Sequence, residues 1–294
     1  LRAGIGRVFW GVTESVHLVD IVNQTDLVEN PDGEDKLGQP LLNLAWTTSA
    51  GTLSGFVLPY FRERRLPGAE ARLRAPLPYE RGDAVYESDD EERHVDWALR
   101  WSLATGDLDI GLSHFSGTAR TPRFAARPTD AGPVLTPVYD LIEQSGLDAN
   151  LVSGGWIWKL EAIHQHSRAE DYDAVAGGFE YTFTGVFDSG WDVGALSEYL
   201  WDSRGGNAPT PFQRDLFAGT RISANDVAGT EILAGTIVDL AHGGLFGNVE
   251  ASRRLGTAGK LILELRLFAD AEPQDPLHFF RRDDYLQLEY VRYF

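Results

Sequence analysis

His164-Gln-His166 places two imidazoles two residues apart, on one face of an extended segment, with Glu170, Asp171 and Asp173 close behind. Nitrogen and oxygen donors in that mix suit a surface metal site, and they suit equally well two exposed histidines at the end of a strand, the commoner arrangement. His114 stands beside Ser113 and Ser116. A Ser–His pair begins hydrolytic chemistry, but neighbours in sequence do not make a triad. No Gly-x-Ser-x-Gly elbow accompanies it. The glycines fall in turns and strands rather than in a loop that cradles phosphate. Carboxylates crowd at 30–35 and 87–92, the first a faint echo of a calcium loop without its twelve-residue spacing. A run such as 87–92 is ordinarily solvated, and could recruit divalent cations. No catalytic residue, no metal site and no cofactor is expected.

The larger set of charges sits on alternating segments. His94–Leu103 sets Val95, Trp97, Leu99, Trp101 and Leu103 against Asp96, Ala98, Arg100 and Ser102. Period-two patterning of this kind makes a strand with one apolar face and one wet face. Gly106 and Asp107 then turn the chain into Leu108, Ile110 and Leu112, which alternate with Asp109, and two such runs make a hairpin. The unit recurs. Trp156 and Trp158 oppose Lys159 and Glu161; Tyr181 opposes Glu180; Trp191, Tyr199 and Trp201 oppose Asp192 and Glu198. Further on, the wet faces carry Asp215 and Arg221, Glu231 and Asp239, Glu250, then Lys260, Glu264 and Arg266, and lastly Glu289.

Fourteen strands are expected, about 4–12, 41–49, 52–62, 93–104, 107–116, 143–152, 156–166, 174–186, 190–202, 214–224, 229–241, 245–255, 259–269 and 282–294. Short connections (49–51, 105–107, 152–155, 187–190, 225–229, 256–259) alternate with long ones (13–40, 63–93, 117–142, 166–172, 203–214, 269–278), the tight 242–244 turn excepted. A transmembrane antiparallel up-and-down barrel, forming one domain over 1–294, has this rhythm. Its lumen would be lined by Asp96, Arg100, Asp109, Lys159, Glu161, Glu180, Asp192, Glu198, Arg221, Glu231, Asp239, Lys260, Glu264 and Arg266. With Asp215, Glu250 and Glu289 the wet faces hold twelve acids against five bases, a balance that favours cations in a pore. The alternative is structural: these charges pair across strands and stabilise the wall. Trp97, Trp101, Trp156, Trp158, Tyr181, Trp191, Trp201 and Phe294 would face the membrane.

Composition agrees with this and narrows it. Mean hydropathy is −0.23, and no run reaches the roughly 18–20 apolar residues of a membrane helix, whereas a barrel shows lipid only alternate side chains. The absence of cysteine removes thiolate metal sites, catalytic thiols and disulfides. A net charge of −18 gives no footprint for nucleic acid. Eight Trp and ten Tyr argue against disorder and supply the residues of a headgroup belt.

The final segment, Tyr285-Leu-Gln-Leu-Glu-Tyr-Val-Arg-Tyr-Phe294, resembles the closing strand of Gram-negative outer-membrane barrels, although Arg292 stands where an apolar residue is usual. Ser153-Gly-Gly155 followed by Trp156-Ile-Trp-Lys-Leu-Glu161 resembles a hairpin of substrate-selective porins, and Phe9-Trp-Gly-Val-Thr-Glu-Ser15 resembles an early strand of porin-like proteins. The resemblance implies a channel in the bacterial outer membrane for passive diffusion of small hydrophilic solutes. Its partners would be outer-membrane lipid, lipopolysaccharide, the solutes and other copies of the chain. With no visible signal peptide and no initial Met, the chain is expected to be a mature or truncated form whose targeting segment is gone, and further strands before residue 1 would widen the pore. Gated uptake of hydrophobic compounds, a plugged scaffold barrel in a surface complex and a barrel hydrolase are the alternatives. The connection 13–40 carries Val16, Leu18, Val19, Ile21, Val22 and Leu27, too apolar for a solvated loop. It is expected to fold into the lumen or to cap the outer rim.

Overall fold

The structure is a computed structural model that describes residues 1–30, 33–79, 82–130, 132–273 and 275–294. Strand accounts for 57% of the chain and helix for 5%, which makes the fold all-β. In chain order the strands are β1 Arg2–Gly6, β2 Gln39–Thr48, β3 Gly51–Leu58, β4 Val85–Tyr86, β5 Asp96–Thr105, β6 Leu108–Thr118, β7 Arg123–Thr129, β8 Gly132–Tyr139, β9 Leu141–Ser153, β10 Trp156–Ser167, β11 Asp171–Phe183, β12 Asp192–Asp202, β13 Arg214–Ser223, β14 Glu231–Asp239, β15 Leu245–Leu255, β16 Gly259–Ala269 and β17 Tyr285–Arg292. Fourteen of them form one antiparallel sheet whose neighbours follow chain order, and β4, β8 and β7 form a separate three-stranded sheet. Among the described residues the sheet forms no closed barrel.

β15 and β16 occupy the expected spans, because Leu261, Leu263, Leu265 and Leu267 alternate strictly with Lys260, Ile262, Glu264 and Arg266. Elsewhere local chemistry moves the ends. β1 stops at Gly6, not at residue 12. Beyond it, Val8 N donates to Asn23 Oδ1 at 2.8 Å and Trp10 N to Asp20 Oδ1 at 3.3 Å, so side chains take the place of the ladder. β3 ends at Leu58, before Pro59, which has no N–H to give. β7 and β8 lie in a connection read as a loop. Their prolines obscured them: Pro128 stands opposite Pro133 in the register, and Pro137 opposite Phe124.

Contacts divide the chain into two compact units. The first comprises Leu1–Val12, His17–Ala149 and Glu161–Ala174; the second comprises Thr13–Val16, Asn150–Leu160 and Val175–Phe294. In the first, Val19, Ile21 and Val22 pack with Trp10, Phe56, Phe115, Ile142 and Ile163 on the buried face of the strands. Part of connection 13–40 is therefore core, as its apolar residues require. In the second, Leu196, Leu200, Phe217 and Ile237 form the core. Gly235 admits the Phe217 ring there, since a Cβ at 235 would overlap it. On β12, Leu196, Glu198, Leu200 and Asp202 are buried while Ala195, Tyr199 and Trp201 are exposed, so polar groups share the core face.

Candidate functional site

Polar groups that share a face with the core must find partners, and in each unit they do so largely through charge. In the first unit Asp96 is fully buried at the start of β5. Thr118 N donates to it at 2.9 Å, Arg120 Nη1 pairs with it at 2.8 Å, and the His94 ring lies 3.0 Å away. Arg120 also donates to Val22 O and lies over the Phe115 ring at 4.8 Å. Burial lowers the Arg120 guanidinium, and Asp96 partly offsets this. Arg100 makes two parallel bonds to Asp148, at 2.7 and 2.8 Å, and stacks over Trp10.

Glu161 on β10 is fully buried and accepts from Val12 N at 2.7 Å and from Val19 N at 3.1 Å. These two amides belong to a coil with no strand partner, and the carboxylate supplies the acceptors that coil lacks. Gly11 lets the coil approach: a Cβ there would lie 2.9 Å from His17 Nδ1 and 3.1 Å from Glu161 Oε1. His17 Nδ1 is 3.8 Å from Glu161. Burial alone would lower the His17 imidazole, but Glu161, Glu34 and Asp20 outweigh it and hold it above its ordinary value. Burial raises the Asp20 carboxyl, opposed by Lys36 at 3.4 Å.

In the second unit Glu198 is buried and accepts from Glu14 N at 2.8 Å, Ser15 N at 2.9 Å and Ser15 Oγ at 2.6 Å. Glu14 itself pairs with Lys159 at 3.3 Å and Arg221 at 2.6 Å, and Glu180 approaches the same two cations at 3.8 and 3.5 Å. Arg266, fully buried, pairs with Glu250 at 2.7 Å and Glu264 at 3.4 Å. Asp239 accepts from Ala241 N at 2.6 Å and closes the tight turn that follows it; Asp192 accepts from Asn225 and Gly185 N. Asp215, opposite Asp239 in the register, accepts from Arg214 N.

Most of the expected wet-face charges are thus engaged, whereas Asp109, Glu231, Lys260 and Glu289 have neither an ion pair nor a side-chain hydrogen bond among the described residues. Sequence reasoning missed Asp148, Arg120 and Glu14. Asp148 lies on β9, where the alternation fades around Gly146, and the other two lie in connections. Of the residues expected to face a membrane, Trp97, Trp156, Trp158, Trp191, Trp201 and Phe294 are exposed and Trp101 and Tyr181 are half-buried. Trp156 stacks on Trp158 with centroids 5.5 Å apart and packs on Tyr181 at 4.6 Å.

The histidines have separate partners. His164 meets Asp173 at 2.9 Å and His166 meets Asp171 at 2.6 Å, all four exposed. His114 bonds Ser145 at 3.0 Å, not Ser113 or Ser116. Among the described residues no cluster of three metal-ligating side chains occurs. In the 30–35 carboxylate stretch, Pro31 and Asp32 lie outside the described residues. Glu87 is not merely solvated: its carboxylate accepts from Leu141 N at 2.7 Å and meets Arg168 at 3.1 Å. Comparison with family models, curated proteins and solved structures finds no match.

Proposed function

We propose that this chain forms a β-barrel in the bacterial outer membrane and passes small hydrophilic solutes. One observation carries the reading: single strands expose tryptophan and leucine on one face while burying charge on the other. On β5, Trp97 and Leu99 are exposed, whereas Asp96 is fully buried and Arg100 half-buried. On β10, Trp156, Trp158 and Leu160 are exposed while Glu161 is fully buried. A sheet in water hides its aromatic face and wets its charges, so the inverted arrangement calls for an apolar solvent outside. Lipid and lipopolysaccharide would be the partners of that outer face. The proposal requires partners for the edges of β1 and β17, either each other or further strands.

Purified protein added to planar bilayers should give stepwise conductance. No current at any salt concentration would defeat the open channel. The Val19–Val22 stretch buried against the strands favours a second reading, a plugged barrel that serves as a scaffold or opens only on demand. Current that appears only when residues 13–22 are deleted would select it.

A further inference from the structure

Four arginines reach the stretch of chain between Val22 and Gly38. Arg120 and Arg65 bring a carboxylate with them, through Asp96 and Asp26. Arg62 and Arg64 do not. Arg62 Nη1 donates to Gly38 O at 2.7 Å; Arg64 donates through Nε to Gln24 Oε1 at 3.4 Å and through Nη2 to Thr121 Oγ1 at 2.9 Å. Leu37 N bonds Gln24 O at 2.7 Å, so Gln24 and Gly38 lie on adjoining stretches of chain and each takes one of the two guanidinium groups. Tyr139 Oη fixes the Arg64 backbone at 2.9 Å, and Tyr139 is held in turn by Phe61 and Tyr86. Neither cation has a carboxylate partner among the described residues, although the chain as a whole carries a net charge of −18.

Both side chains are half-buried, so solvent still reaches them. Burial pushes the Arg64 guanidinium down to about 10, the response of a cation that lacks a counter-charge. Cations with donors left over and no carboxylate partner among the described residues, one of them held down by burial, gain from an anion that joins them. We propose that Arg62 and Arg64 form a binding site for an oxyanion, a carboxylate or phosphate, carried by a free solute or by a lipid headgroup. Guanidinium forks match the planar or tetrahedral oxygens of such groups, and the neutral amide and hydroxyl of Gln24 and Thr121 orient the fork without neutralising it. The site goes beyond the channel reading and stands whether or not the chain conducts.

The test uses the full chain in zwitterionic micelles and titrates inorganic phosphate, then acetate, by calorimetry at fixed ionic strength. Saturable binding is expected, weakened about tenfold or more in Arg62→Gln/Arg64→Gln. Arg127→Gln, whose guanidinium already faces Asp83 in solvent, should change it by less than about twofold. Saturation in lipid-free micelles supports a free solute; binding that appears only as displacement of added phosphatidylglycerol supports a headgroup. No saturable binding by the unaltered chain under either condition overturns the site, as does equal binding by the double variant. Arg64→Lys, which keeps the charge and loses the fork, should bind with intermediate strength, and it covers the case in which the double variant does not fold.

Discussion

Glu161→Gln is the sharpest probe of how the strands hold the coil that follows β1. The unaltered carboxylate accepts two amides, Val12 N at 2.7 Å and Val19 N at 3.1 Å, from a site with no exposure to solvent. Glutamine keeps the shape but offers one oxygen and turns an NH2 toward the other amide. One charge-assisted bond is lost, about 1.5–3 kcal/mol, and a buried N–H is orphaned at about 1–3 kcal/mol. Partial relaxation and overlap of the two costs bring the expected loss to about 2–4 kcal/mol, on the order of 30- to 1000-fold in the opening equilibrium. The assay is amide hydrogen exchange on the peptide spanning 8–22. Protection there should fall by that factor, while β15 and β16 keep theirs. Protection of 8–22 unchanged within about threefold would refute the argument, because each tenfold corresponds to about 1.4 kcal/mol and the carboxylate would then contribute almost nothing.

Four further outcomes follow from the same geometry. The folded pKa of His17 and that of Asp20 both lie above their ordinary values, so each group binds protons more tightly when folded. Their contribution is therefore full below the unfolded values and is lost as pH rises through the folded ones: protection of 8–22 should fall between acid and mildly alkaline pH, and His17→Gln should flatten the upper part of that profile. Arg100→Ala leaves the nearly buried Asp148 unpaired and should cost about 3–5 kcal/mol in urea unfolding, whereas Arg100→Ala with Asp148→Leu should recover most of it. Gly235→Ala forces a methyl into the Phe217 ring and should cost about 1–3 kcal/mol in the same assay. Leu99→Arg separates the two possible solvents of the outer face: insertion into liposomes should weaken by about 2–4 kcal/mol if that face meets lipid, and unfolding should move by less than about 0.5 kcal/mol if it meets water.

The sheet was legible because its signal is local. Strict alternation in Lys260–Leu267 or Asp96–Leu103 needs no knowledge of distant residues, and those strands stand where the pattern puts them. What escaped was set by partners far away in sequence. The end of β1 depends on Asn23 and Asp20, and the state of Glu161 depends on Val12 and Val19, about 150 residues earlier. Nothing near Glu161 marks it as a backbone acceptor; it differs from a solvated glutamate only in what reaches it. Arg62 and Arg64 differ for the opposite reason: their meaning lies in the want of a carboxylate partner among the described residues, and absence has no pattern.

Under the proposed channel function, the engagement of the wet-face charges changes what they can do to a passing solute. A carboxylate that already accepts two backbone amides, as Glu161 and Glu198 do, has its field opposed by oriented N–H dipoles. Lys159 and Arg221 face Glu14 and Glu180, two cations against two anions, so that group presents dipoles rather than net charge. Counting twelve acids against five bases therefore overstates the preference for cations, since a pore's selectivity follows the charges left exposed to water. Among the described residues, the wet-face charges Asp109 and Glu231 at strand ends, Lys260 and Glu289 have neither an ion pair nor a side-chain hydrogen bond, and Arg62 and Arg64 outside the strands have no carboxylate partner. Neutralising Asp109 and Glu231 together should shift the reversal potential in a salt gradient toward anions, while Glu198→Gln should leave it nearly fixed. If Glu198→Gln instead moves it as far as the surface pair does, the buried carboxylates reach the conduction path and the distinction between engaged and free charge fails.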